Sequence, residues 1–240
     1  MRLAVISDIH ANKEALDEVM ESIKHRSINS IFCLGDLVNY GTDFEYCIDF
    51  VENRAETCVM GNHDSTVIGR DPLWHMNREA RRSARWTMAR LTHEQRSYLE
   101  SLPMDHSHND ILFTHGSPES PDRWHYITNW FDAARQFDNF QERICMVGHS
   151  HIPGIYNNRE EGNFYSERIH SLDPESRYIV NVGSVGQPRD RDPRASYVVI
   201  DEGEGTVEFV RVEYDVEKAS KKIASEGMSN FNARRILEGI

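Results

Sequence analysis

Leu3-Ala4-Val5-Ile6-Ser7-Asp8-Ile9-His10 is the stretch that decides the fold. Its first part, LAVIS at 3–7, is a continuous apolar run, the pattern of a buried strand. It ends in Asp8 and His10. Asn12 can then cap a helix whose apolar positions, Ala15, Leu16, Val19, Met20 and Ile23, fall at helical spacing. The unit repeats: IFCLG at 31–35 reads as a second strand, Phe44, Cys47, Ile48 and Val51 mark a second helix, and TCVM at 57–60 reads as a third strand. Strand–helix alternation argues for parallel pairing with helices on the sheet faces, an α/β architecture.

Residues 72–102 have no strand pattern. Ala80, Ala84, Met88 and Leu91 form a helical stripe, so a helix is expected over 77–90 and another from Thr92, with Pro103 as a stop. Strands resume at 111–114, 144–148 and 178–182, and the runs 196–201 and 206–214 flank Gly203 and Gly205 as a hairpin would. Residues 216–240 return to helical spacing through Val216, Ala219, Ile223, Ile236, Leu237 and Ile240. One domain over 1–240 is expected, with 72–103 a cap-like helical insertion and 216–240 C-terminal helices that pack on the core or on a partner.

The 240 residues are 39% hydrophobic and 28% charged, which suits a single hydrophobic core. Lys plus Arg is 27 against 39 Asp plus Glu, a net charge of −12. So acidic a chain is a poor coat for nucleic acid, because that affinity comes from neutralising phosphates with cations. The four cysteines, Cys33, Cys47, Cys58 and Cys145, show no paired spacing and read as reduced thiols. No apolar run approaches the roughly 20 residues of a membrane span. The five apolar residues before Ser7 are too few for a secretory leader, so a cytoplasmic location is expected.

Every chemistry-bearing cluster follows a strand. Asp8 and His10 end the first, Gly35-Asp36 the second, and Gly61-Asn62-His63-Asp64 the third; His115 follows 111–114, and His149-Ser150-His151 follows 144–148. In open α/β sheets, ligands collect at the carboxyl ends of strands. Asp, Asn and His without thiolates suit manganese, iron, zinc or similar divalent ions. Asp8, His10, Asp36, Asn62, His115, His149 and His151 outnumber the three or four ligands of one catalytic ion. Two ions sharing a bridging carboxylate would use them all, and such a pair clamps phosphate oxygens and acidifies a shared water. Asp8 and His10, alternate residues of an extended turn, can reach one ion together.

These blocks resemble the calcineurin-like metallophosphoesterase superfamily, whose pattern reads D-x-H, G-D, G-N-H-[DE], H and G-H-x-H; all five stand here in order over residues 8–151. The runs Gly35-Asp36-Leu37-Val38-Asn39-Tyr40-Gly41, His115-Gly116-Ser117-Pro118 and Asn181 to Arg189 are similar to its small prokaryotic branch, labelled phosphodiesterase- or diadenosine-tetraphosphatase-like. Val182 stands where that branch commonly has Pro. The resemblance implies a four-layer α/β/β/α sandwich of two mixed sheets flanked by helices. It implies that Asp8, His10 and His151 bind one metal, that Asn62, His115 and His149 bind a second, and that Asp36 bridges them. The cofactor is then two divalent transition-metal ions: manganese first, with iron, zinc, nickel or cobalt as alternatives. His63 points at the leaving-group oxygen as general acid, and Asp64 orients it and favours its protonated form. The reaction implied is in-line attack on phosphorus by a hydroxide held between the ions.

Protein phosphatases of that superfamily carry an Arg directly after the G-D-x-V-D segment, where this chain has Asn39-Tyr40. The missing guanidinium removes a bidentate grip on a dianionic phosphate, which favours a phosphodiester or small nucleotide over a phosphomonoester or phosphoprotein. Cations could come from elsewhere. Arg78, Arg81, Arg82, Arg85, Arg90 and Arg96 crowd the segment 77–100, either as a solvated helix face or as a cap over the cleft, with Trp74, His75 and Asn77 at its border. Arg189, Arg191 and Arg194 are a second source, with Asp190 and Asp192 between them for ion pairing. Trp86, Trp124, Tyr126 and Trp130 read as packing residues, and His106 and His108 as surface. A non-catalytic scaffold of the same fold, like the retromer subunit, would have lost ligands or the G-N-H histidine, and both are intact. A nuclease of the superfamily would carry a basic stripe that is missing. The partner expected is a small phosphorylated substrate, with no membrane and no nucleic acid.

Overall fold

The computed structural model describes residues 1–162 and 169–240. β1 (Arg2–Ile6) leads through α1 (Lys13–His25) to β2 (Ser30–Cys33), and α2 (Phe44–Arg54) leads to β3 (Thr57–Cys58). Helices α3 (Asn62–Ile68), α4 (Arg78–Met88) and α5 (His93–Ser101) follow. Then come β4 (Asp105–His108), β5 (Ile111–Thr114), α6 (Trp130–Ala134), β6 (Ile144–Val147), β7 (Gly154–Asn157), β8 (Ile169–Ser171), β9 (Tyr178–Asn181), β10 (Ala195–Asp201) and β11 (Thr206–Val212). The chain closes with α7 (Val216–Ser225) and α8 (Asn230–Glu238). One sheet has the order β3-β2-β1-β10-β11-β8, the other β4-β5-β6-β9-β7. The expected parallel pairs β1–β2 and β2–β3 form, as does the antiparallel hairpin β10–β11. In the second sheet β5, β6 and β9 run parallel.

Strand alternation explains why β1 reads as a solid apolar run. Leu3 and Val5 face the other sheet and join a core with Phe113, Met146, Val180 and Val198, while Ala4 and Ile6 face out against Leu16, Val19 and Phe44 of the helices. The outer face of the second sheet, Leu112, Cys145, Val147 and Ile179, is covered by Ala133, Phe137 and Phe140. The result is the expected four layers. The helices start where capping residues stand. Asn12 Oδ1 accepts from the Ala15 amide, Asn77 Oδ1 accepts from Glu79 and Ala80, and Thr92 exchanges bonds with Gln95. Each such cap stabilises its helix by about 1 kcal/mol.

The tail at 216–240 packs on this chain. α7 contacts α1, and the α7–α8 pair buries Ala219, Ile223, Met228 and Ile236 beside Trp86. His106 and His108, expected on the surface, instead lie on β4 with half-buried rings packed against Phe32 at 6.3 and 5.2 Å. Pairing with β5 sets that register and turns both rings inward. Among the described residues, no helix is long and apolar enough to cross a membrane.

Candidate metal centre

The parallel strands of both sheets deliver their ends to one cleft. Asp8 and His10 leave β1, Asp36 leaves β2, Asn62 opens α3 after β3, His115 leaves β5, and His149 and His151 leave β6. Backbone bonds lock these loops together: Asp8 N–H to Gly35 O at 3.0 Å, His10 N–H to Asp36 O at 2.9 Å, Gly148 N–H to His115 O at 3.0 Å. Two glycines are needed for the approach. A Cβ on Gly61 would lie 2.1 Å from Asp36 Oδ1, and one on Gly148 would lie 2.1 Å from Ser7 Oγ. Asp8, His10, Asp36, His149 and His151 all hold left-handed backbone, with φ between 49° and 63°. Non-glycine residues adopt that region at a cost of order 1–3 kcal/mol each, and such strain clusters at functional sites.

Each carboxylate spends one oxygen on the protein. Asp8 Oδ2 accepts from Ser7 Oγ at 2.7 Å and from the His149 amide at 3.0 Å; Asp36 Oδ1 accepts from the His63 amide at 2.8 Å. Asp8 Oδ1 and Asp36 Oδ2 are buried with no hydrogen-bond partner. The imidazoles are anchored from behind. His10 Nδ1 meets Val38 O at 3.0 Å, His115 Nδ1 meets Leu34 O at 2.7 Å, His149 Nε2 meets Trp124 O at 2.9 Å, and His151 Nδ1 meets Gln187 O at 2.5 Å. A carbonyl only accepts, so each of those nitrogens carries the proton and the other aims a lone pair inward.

The inward nitrogens then face each other. His10 Nε2 and His151 Nε2 are 3.2 Å apart, as are His115 Nε2 and His149 Nδ1. At the His10–His151 pair the two bare nitrogens have no proton to share. Asp8 Oδ1 lies 3.0 Å from His151 Nε2, and Asp36 Oδ2 lies 3.6 Å from His10 Nε2 and 3.4 Å from His115 Nε2; Asn62 Oδ1 lies 3.2 Å from His115 Nε2. Ligand bonds of about 2.1 Å give ligand–ligand edges of roughly 3.0–3.4 Å, so these separations suit cations at the centre of each group. The donor set falls into two groups, Asp8, His10, Asp36 and His151, and Asp36, His115 and His149. Asp36 belongs to both. These residues fit the metals that the sequence calls for.

Electrostatics agree. Burial opposes ionisation of Asp8, yet His151 and then His115 hold its carboxyl well below the usual range. Asp36 is likewise held low against burial, chiefly by His115 and His63. Burial opposes charge on His115, but Asp36 and Asp8 override it and raise its pKa to about 10. Burial lowers His149 to about 3 and depresses His10 and His151. The inward proton that His115 then carries is one a cation would displace, and the two ionised carboxylates beside it attract cations.

His63 joins the cleft, but its surroundings differ from expectation. Asp64 does not touch the imidazole. Its carboxylate accepts backbone N–H groups from Asp36 at 2.7 Å, Leu37 at 3.0 Å and Gly61 at 3.1 Å, so it clamps the loops after β2 and β3 together. Burial and the neighbouring Asp36 push Asp64 up to about 7. The partner of His63 is Asn39, whose amide nitrogen meets Nδ1 at 2.7 Å. Burial lowers His63 to about 4, against the pull of Asp36 and with the help of Arg189, so the imidazole is neutral rather than protonated.

The cleft, about 110 Å³, is lined by Asp36, Tyr40, His63, Asn77, Tyr126, His149, His151, Arg189 and Arg235. Asn77 and Arg189 are where a border role requires them. Arg78 is not: its side chain is 95% exposed beside Glu79. The Arg-rich helix packs Ala80 and Ala84 on the core and sends its arginines to solvent or to backbone carbonyls, so it is a solvated face and not a phosphate cap. Trp74 and His75 are exposed as well. Arg194 pairs with Asp192, as the turn reading allowed. Sequence reasoning missed two cleft residues. Tyr126, read as packing, stacks on His149 at 4.0 Å, and Arg235 arrives from α8. Nothing in the spacing of the tail marks Arg235; only its amphipathic helix showed that the tail would dock.

An uncharacterized protein of Methanocaldococcus jannaschii is 39% identical over 243 residues, covering 99% of this chain and 98% of that one. The crystal structure of a metallophosphoesterase from Sphaerobacter thermophilus superposes with a TM-score of 0.90 at 37% identity, over 100% of this chain and 99% of that one. A hypothetical protein from Pyrococcus horikoshii shares the fold, with a TM-score of 0.81 at 19% identity over 100% and 98%. The model of the calcineurin-like phosphoesterase superfamily domain matches residues 1–205, the span that contributes every Asp, Asn and His of the cluster. On that match, with a buried donor set that could hold metal ions, the chain belongs to the calcineurin-like phosphoesterase superfamily.

Proposed function

We propose that this metallophosphoesterase hydrolyses a phosphodiester or a small nucleotide with two divalent transition-metal ions. Manganese is the first choice, and iron, zinc, nickel or cobalt are alternatives, since the donor types do not select among them. The observation that carries the reading is the pair of unpartnered oxygens, Asp8 Oδ1 and Asp36 Oδ2, set among four inward imidazole nitrogens. Asp8, His10 and His151 would hold one ion, Asn62, His115 and His149 the other, with Asp36 shared. Bound there, such ions supply Lewis acidity toward phosphoryl oxygens and an activated water.

The chain's own residues do the rest. Carbonyls of Val38, Leu34, Trp124 and Gln187 hold the imidazoles in place before any ligand arrives, so little reorganisation is left for the reaction. His63 is the proton donor to the departing oxygen. The Asn39 amide donates to Nδ1, which puts the proton of the neutral ring on Nε2. An anionic phosphate in the cleft favours the imidazolium, and turning the Asn39 amide then presents Oδ1, which has no partner here, to the new Nδ1–H. Asn39 therefore serves both protonation states, and Asp64 acts through the backbone. A cleft of about 110 Å³ is far below the roughly 300–1,000 Å³ of pockets that swallow a whole ligand. It encloses the phosphoryl group and leaves the remainder of the substrate at the rim.

The test is hydrolysis of bis-p-nitrophenyl phosphate and p-nitrophenyl phosphate with added manganese, with and without chelator. Metal-stimulated, chelator-sensitive turnover that is faster on the diester is expected. No metal-stimulated turnover on either compound overturns the proposal.

A further inference from the structure

Position 40 is a tyrosine where related phosphatases place a guanidinium, yet two guanidiniums lie over that tyrosine. Arg189 approaches from the loop after β9, with its charge centre 6.0 Å from the Tyr40 ring; Arg235 approaches from α8 at 5.8 Å. Tyr40 in turn packs edge-on against His10 at 4.6 Å and beside His63 at 4.8 Å. The two cations therefore stand one ring away from the general acid and the metal cluster.

Neither arginine has a carboxylate side chain as partner among the described residues. Arg189 gives Nη2 to Gln187 Oε1 at 3.1 Å, and its buried Nε has no partner. Arg235 gives Nε to the main-chain oxygen of Ile240, the last residue, at 2.5 Å. Other arginines of this acidic chain are neutralised: Arg194 by Asp192, Arg211 by Asp190, Arg26 by Glu208. Asp190, the acid nearest in sequence to Arg189, is thus already engaged. Like charges held side by side at a cleft mouth favour an anion between them, and the guanidinium fork matches phosphate oxygens two at a time.

We propose that Arg189 and Arg235 form a second anion subsite, which grips a phosphate of the departing half of the substrate while the scissile phosphoryl lies on the metal cluster. Two placements favour a second phosphate over the scissile one. The arginines border His63, the residue assigned to the departing oxygen. The cleft of about 110 Å³ is small, so with the scissile phosphoryl on the cluster a further charged group would lie outward, where Arg235 and the exposed Tyr126 stand. The substrate class is an ester or anhydride whose departing half bears its own phosphate, such as a nucleoside polyphosphate. This rests on the phosphoester-hydrolysing reading of the metal cleft.

The experiment uses two ligands that cannot be hydrolysed, methylphosphonate and methylenediphosphonate, titrated by tryptophan fluorescence into the full chain in excess manganese. Wild type binds the diphosphonate at least about tenfold more tightly, the scale of one or two charge-assisted hydrogen bonds. Arg235→Gln cuts that preference at least about fivefold, and Arg235→Lys keeps part of it because a point charge remains. Arg189→Gln reads the same ratio if Arg235→Gln fails to fold, and thermal melting and metal analysis report folding and loading for each. An unchanged preference, or equal weakening of both ligands, overturns the subsite. A preference that depends on Arg235 in a protein unable to hydrolyse bis-p-nitrophenyl phosphate keeps the subsite and sinks the proposed function instead.

Discussion

Between the two sheets, Leu3, Val5, Met146, Val198 and Ile200 are buried with no polar side-chain atom to satisfy, and none of them holds left-handed backbone. Five residues beyond Leu3, in the loop that leaves the same strand, Asp8 is buried just as deeply with an unpartnered oxygen and a φ of 54°. The interior follows every local preference of its residues. The edge violates several at once and persists because the interior over-determines the loops that leave it. Stability and chemistry should therefore separate by position: changes at the edge should alter rate and metal content, and changes in the interior should alter unfolding.

Asp36→Asn should give the largest effect. One of its oxygens belongs to both donor groups, so its loss weakens both sites together. Turnover should fall by about 10⁴-fold or more, the scale expected when a metal pair and its activated water are lost. Elemental analysis should find less than one metal per chain. Two tightly held equivalents in Asp36→Asn would break the comparison at its strongest point. His63→Ala comes next, with turnover down about 10²–10⁴-fold and metal content intact, because no inward ligand is removed. Asn39→Asp sharpens the same point. A carboxylate at Nδ1 favours the imidazolium, so the donor stays protonated to higher pH and the basic limb of the pH–rate profile moves up. A basic limb that moves down, or stays put, would mean that Asn39 does not set the charge of His63.

On the other side of the comparison, Leu3→Ala removes a fully buried side chain from the inter-sheet core. It should lower the unfolding free energy by about 2–5 kcal/mol, measured by urea titration, while the folded fraction keeps its kcat. A loss of kcat per folded molecule comparable with that of His63→Ala would show that the interior and the edge are not separable.

That division also explains what was legible in the sequence. The strand order at 3–7, 31–35 and 57–60 and the Asp and His donors gathered behind those strands were readable because burial on both faces leaves only apolar residues and the break to Asp or His is abrupt. The role of Asp64 was not readable. A carboxylate that clamps three amides looks the same in sequence as one that orients a ring, and the choice depends on loop dihedrals that no residue pattern encodes. The source of the cleft's cations was readable only in part: Arg189 stood out in the sequence and Arg235 did not. Density of arginine at 78–96 drew attention to α4, but that helix turns its other face to the core, and the arginines that reach the cleft are Arg189, from the second basic cluster, and Arg235, next to Arg234. Long-range docking placed them there.

The helix pair that brings Arg235 to the cleft is itself tied down by charge, which gives the smallest effect and the finest test. Lys222 on α7 reaches Glu14 on α1 at 3.1 Å and also Asp43, the residue before α2. Burial tends to raise the Glu14 carboxyl, but Lys222 and Lys218 outweigh it and hold it below its ordinary 4.5. A depressed folded-state value means that the interaction stabilises the protein above the ordinary carboxylate pKa and fades as pH falls through the folded one. Lys222 is partly exposed, so solvent screening limits the contribution to about 1 kcal/mol or less. Lys222→Met should therefore lower the urea midpoint most at pH 7, and the gap from wild type should close between about pH 5 and pH 3. A gap that stays constant across that range would mean that Lys222 acts by packing its aliphatic stem alone. The docking of α7 and α8, and with it the position of Arg235, would then owe nothing to Glu14.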